Sequence, residues 1–94
     1  MNKAPSQKRI GKFLKQHRVK VGLTQSDVAQ RLGYTSPQFI SNIERGLCSA
    51  PIKHLKDFAS MYNLDSEELI GLLLSEHESL LRVALSDRSL SKKP

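Results

Sequence analysis

The sequence has no tryptophan, a single cysteine and no apolar run that approaches membrane length, and each of these shortages excludes something. A membrane span needs roughly 18 consecutive apolar residues, and no such run is present. The basic start MNKAPSQKR is followed by no apolar stretch, so it does not read as a secretory signal. Cys48 alone cannot form an intrachain disulfide, which fits a reducing cytoplasm. The thiol reads as a small core hydrophobe, with redox sensing and dimer cross-linking as the alternatives. Glycine is sparse: five scattered residues, all but Gly11 at expected helix ends, leave no phosphate-cradling loop. His17, His54 and His77 fall on three different expected helices, without metal-ligand spacing to one another or to Cys48. His17 is expected at a helix edge and His54 facing solvent. Glu67 and Glu68 read as helix-cap acids rather than a general acid/base pair. No enzyme, metal or cofactor is implied.

Acid is missing from the whole front of the chain. Residues 1–20 carry Lys3, Lys8, Arg9, Lys12, Lys15, Arg18 and Lys20 and no carboxylate, whereas residues 65–94 carry six acids against four bases. The overall balance is 15 Lys and Arg against 9 Asp and Glu, a net charge of +6, so a basic front suggests a polyanionic partner on that side. Ninety-four residues provide one domain and no second core.

What is present is helical punctuation. Ser6 can cap a first helix with Ile10, Phe13, Leu14 and Val21 on one face and lysines on the other. Gly22 stands where a left-handed residue would stop it. Gly11 near its start costs about 1 kcal/mol against Ala, so it implies either a close neighbouring helix or a frayed first turn. Thr24-Gln-Ser-Asp27 resembles a capping box and opens a second, barely two-turn helix with Val28, Ala29 and Leu32 inside, closed by Gly33. A third helix is expected from Ser36-Pro37, with Ser36 accepting from an early amide and Pro37 in the first turn. Ile40 and Ile43 point inward, Phe39 lies between faces, and Gly46 closes it. Pro51 begins a fourth helix with Ile52, Leu55, Phe58, Ala59 and Tyr62 inside. Asp65 or Ser66 caps a fifth, buried through Leu69, Ile70, Leu72 and Leu73. No strand signal appears, so the fold class is all-α. Apolar residues continue through Leu80, Leu81, Val83, Ala84 and Leu85, which suits either a self-association surface or a helix folded back on the domain.

Two short helices joined at a glycine turn, with small Ala29 early in the first, are the elements of a helix-turn-helix. The run Leu23-Thr-Gln-Ser-Asp-Val-Ala-Gln-Arg-Leu-Gly33 followed by Phe39-Ile-Ser-Asn-Ile-Glu-Arg-Gly46 resembles the lambda-repressor-like (Cro and phage-repressor type, XRE-family) DNA-binding domain. Pro51, Leu55, Ala59 and Leu64 continue the similarity over about residues 8–74. The stretch Gly-Tyr-Thr-Ser-Pro-Gln-Phe is one residue longer than the usual pattern, and positions are aligned backward from Ile43-Glu44.

The resemblance implies a compact five-helix domain over residues 8–74, with helix-turn-helix helices 2 and 3. Residues 1–7 would form a basic arm, 75–85 a helical extension suited to dimerisation, and 86–94 a mobile tail. It implies double-stranded DNA as partner, a homodimer, and helix 3 in the major groove. Gln38 and Asn42, four apart on the outward face, would contact bases, each amide able to pair bidentately with adenine. Ser41 and Phe39 are further base-contact candidates. Thr24, Gln25, Ser36, Arg45, Lys53 and Lys12 would contact the DNA backbone or brace the motif, helped by the arm residues Lys3, Lys8 and Arg9. Arg18 and Glu44 would form a structural ion pair joining the first helix to the third. Such a chain leaves no room for a ligand-sensing module, so repression by blocking polymerase is the expected mode. The competing expectation is a protein-interaction module such as an antitoxin or adaptor.

Overall fold

The computed structural model describes the backbone of residues 5–86 and the side chains from Arg9 to Ser86. The arm residue Lys3 and the tail beyond Ser86 lie outside the described residues, as does the side chain of Lys8. Five helices follow one another: α1 (Pro5–Lys20), α2 (Gln25–Leu32), α3 (Gln38–Glu44), α4 (Ile52–Tyr62) and α5 (Ser66–Ser86). No strand occurs among the described residues.

The first helix is the hub, packing against α3, α4 and α5. Its inner line is Ile10, Leu14 and Arg18, spaced four apart and all buried. Val21, expected on that face, is exposed because α1 ends at Lys20 and Val21 belongs to the turn completed at Gly22 (φ 80°). There Leu23 N donates back to Arg18 O at 3.1 Å and Gly22 N to Val19 O at 3.0 Å, which satisfies the last carbonyls. Gly11 settles its own question. An added Cβ would stand 2.5 Å from Ile43 O and 2.6 Å from Glu44 O, so α1 meets the C-terminal carbonyls of α3 backbone to backbone. The glycine permits a close neighbour.

The second helix starts with a complete capping box. Asp27 N donates to Thr24 Oγ1 and Thr24 N to Asp27 Oδ2, both at 2.9 Å. Donation from the Thr24 backbone amide, and then from its side chain, holds the Asp27 carboxyl below its ordinary pKa. Val28 and Ala29 are fully buried, and Gly33 (φ 89°) ends the helix in the left-handed region. Eight residues make too little helix to stand alone, and α2 is held by α3. The core gathers Ile10, Leu14, Val28, Ala29, Ile40, Ile43, Phe58 and Tyr62.

Several expectations about α4 and α5 are corrected. His54 is buried rather than solvent-facing, its Nε2 2.8 Å from Tyr34 Oη. It falls in line with Phe58 and Tyr62 at steps of four, so the helical face that takes those rings inside takes the imidazole with them. Ile52 is 86% exposed, because six residues before Phe58 puts it well off that line. Ile70 is likewise exposed, since Leu69, Leu73 and Glu76 form the stripe that faces inward. Gly71 marks no helix end: it sits inside α5 with open space around it. The 21 residues of α5 run unbroken through position 74, so the expected helical extension over residues 75–85 is the continuation of α5 itself. Along its outer side Ile70, Leu74, Leu81 and Leu85 are exposed.

Candidate nucleic-acid interface

The interface is built on α3, a seven-residue helix with two contrasting sides. It begins one residue later than the Ser36-Pro37 start predicts, at Gln38, with Pro37 as the cap residue. Ser36 Oγ accepts weakly from Gln38 N at 3.3 Å. The helix closes at Gly46 (φ 78°), where Leu47 N donates to Asn42 O at 2.9 Å.

The inner side carries Ile40, Ile43 and Glu44, all buried. Glu44 takes a two-pronged contact from Arg18: Nε to Oε2 at 2.6 Å and Nη2 to Oε1 at 3.1 Å. Arg18 Nη1 also donates to Leu23 O at 2.8 Å, and Gln25 Nε2 donates to Glu44 Oε1 at 2.9 Å. The hydrogen bond to Glu44 raises the already high pKa of Arg18, so the guanidinium stays charged although buried. One carboxylate therefore ties α3 to α1 and to the start of α2.

The outer side is polar. Gln38 and Arg45 are exposed and Asn42 half-buried. Gln38 Nε2 and Arg45 Nη2 each donate to Asn42 Oδ1 at 2.9 Å, linking three side chains over almost two turns. No carboxylate lies among them. Ser41 is half-buried beside this row. Phe39 leans inward: its ring is half-buried, 4.8 Å from Tyr34 and 6.3 Å from His54 between centroids. Tyr34 and His54 brace the turn leading into α3, a role the sequence reading misses; the signal available was the spacing of His54, Phe58 and Tyr62.

Around this helix, Thr24 is committed to the capping box, and the start of α2 opens onto a shallow hollow lined by Thr24, Gln25, Ser26 and Pro37. Lys12 and Lys53 are exposed on α1 and α4. Arg9 is exposed as well. Among the described residues no three His, Cys, Asp or Glu side chains gather in a way that could hold a metal, and no helix is long and apolar enough to cross a membrane. His17 stacks at a tilt on Phe13, with ring centroids 4.4 Å apart. Burial raises the pKa of the half-buried Cys48, which packs against the core.

Comparison with known families matches the chain to the family described as helix-turn-helix domain over residues 9–72, two thirds of the chain and all of α2 and α3. No curated protein matches the chain.

Proposed function

The chain belongs to the helix-turn-helix domain family, and from that membership we propose that it is a sequence-specific double-stranded DNA-binding regulator that inserts α3 into the major groove. The observation that carries this reading is the outer side of α3, where exposed Gln38 and Arg45 and half-buried Asn42 form a polar row without acid. Side chains of these types hydrogen-bond to base edges. Behind them, the Arg18–Glu44 pair and Gln25 fix the angle at which the row is presented. In this reading Gln25, Thr24 and Ser36 contact the phosphate backbone or brace the motif, with Arg45, Lys53 and Lys12 adding positive charge.

The regulator acts as a homodimer on an operator of two related half-sites, and represses by occupying the site. The exposed stripe Ile70, Leu74, Leu81 and Leu85 on α5, with Ile52 of α4 nearby, supplies apolar surface for the second copy. Half-sites about one helical turn apart, ~34–36 Å, would place both recognition helices on one face of the duplex.

Selection of bound duplexes from a random pool tests the reading. A palindromic consensus is expected, with affinity falling steeply between about 50 and 200 mM salt. Lys53→Ala should weaken all sequences alike and lower the salt slope by roughly one, while Gln38→Ala should relax preference at one base position. Failure to enrich any sequence would exclude sequence-specific recognition, and salt-insensitive capture of a protein instead would favour an adaptor.

A further inference from the structure

The outer row of α3 specifies more than contact. Arg45 possesses only donors, so the atom of Asn42 that faces it is the carbonyl oxygen. Gln38 meets that same oxygen and must present its amide nitrogen. The orientation of both amides therefore follows from the chemistry of the arginine. A carbonyl oxygen accepts two hydrogen bonds, and Asn42 Oδ1 receives two, each at 2.9 Å. What Asn42 has left to offer a base is its Nδ2 group, donors alone. Gln38 keeps its Oε1 acceptor and its second N–H.

Adenine presents an acceptor and a donor in the major groove, so pairing it bidentately requires both an N–H and a carbonyl oxygen from the amide. Gln38 retains both. Asn42 does not, unless it breaks its bonds to Gln38 and Arg45. Guanine is the base whose major-groove edge presents two acceptors, N7 and O6, and no donor.

Resting on the DNA-binding reading above, we propose that Asn42, held donor-outward by Arg45 and Gln38, reads guanine, while Gln38 reads adenine. Arg45 is then a positioning residue for specificity as well as a source of charge. The adenine expected opposite Asn42 from its residue type gives way to guanine because its acceptor is already used.

The test is selection of bound duplexes by the full chain and by three variants. The wild-type half-site should contain a guanine whose preference disappears in Asn42→Asp, which preserves an acceptor for Gln38 and Arg45 but removes the outward donors. The adenine position, the one that loses its preference in Gln38→Ala but keeps it in Arg45→Ala, should be untouched in Asn42→Asp. Arg45→Ala frees one of the two acceptor sites of Asn42 Oδ1 for the N–H of a base and should shift the guanine position toward adenine. Replacing that guanine by 7-deazaguanine should weaken wild-type binding roughly tenfold. All three substitutions lie on the outer side of α3, and Arg45→Ala carries the test if Asn42→Asp fails to fold. Enrichment of duplexes with adenine at the Asn42 position overturns this assignment and leaves DNA binding standing. Absence of any enriched duplex overturns both.

Discussion

The two sides of α3 each carry a hydrogen-bonded network of three side chains, yet the two sit in opposite surroundings. Inside, Arg18, Glu44 and Gln25 meet with the ion-pair side chains only 10% and 3% exposed. Outside, Gln38, Asn42 and Arg45 meet where water competes for every bond. Buried, such a network is costly to break, because a stranded charge has nowhere to go. At the surface it rearranges at little cost, since each bond is exchanged for one to water or to a ligand. One helix can thus be rigid in placement and adaptable in contact.

Glu44→Ala should be the most damaging change. It leaves Arg18 buried without its counter-charge and should lower unfolding free energy by about 3–5 kcal/mol, measured by urea denaturation, with DNA binding lost through unfolding. Asn42→Ala, on the other side of the same helix, should change stability by less than about 0.5 kcal/mol. Equal losses would erase the distinction between the two sides.

The two glycines inside helices sharpen the point. Gly11→Ala forces a methyl against two backbone carbonyls of α3 and should destabilise by about 1–3 kcal/mol, despite the better helix propensity of alanine. Gly71→Ala meets nothing within 4 Å and should stabilise by about 0.5–1 kcal/mol. Opposite shifts in melting temperature are the expected result.

Tyr62 gives a smaller effect. Its Oη is buried with no hydrogen-bond partner among the described residues, and burial with the nearby Glu44 charge pushes its pKa far up. Tyr62→Phe should be neutral or stabilise by about 1 kcal/mol in the same denaturation experiment.

The smallest is electrostatic. Asp27 has its pKa lowered by its bonds to Thr24, so its contribution to stability is complete above the ordinary carboxylate pKa and is lost as pH falls through the depressed folded value. Asp27→Asn should flatten that part of the acid limb in a series of melts.

Much of this frame is legible in the residues. Thr24 and Asp27, Gly22, Gly33 and Gly46 announce helix ends through local chemistry that needs no distant partner. Gly11 poses a question in sequence that the α1–α3 approach answers. His54 is not legible in the same way, because whether an imidazole is buried depends on Tyr34, twenty positions earlier, being there to receive it. Ile52 and Ile70 show a second limit. Where a helix has more apolar residues than one stripe can hold, composition does not say which of them face inward. At the site, residue types suggest base recognition by Gln38 and Asn42, but not which atom of each amide is free, since that depends on where Arg45 lies.

The approach at Gly11 bears on the accuracy with which α3 is aimed. Separations between most helices depend on side chains that hop among rotamers and adjust to substitutions nearby. Here main chain rests on main chain, and the gap is set by atoms that have no such freedom. The orientation of the reading head is thereby insulated from thermal reshuffling in the rest of the core, much as a bearing seated on a machined shoulder keeps its alignment while the parts around it have play.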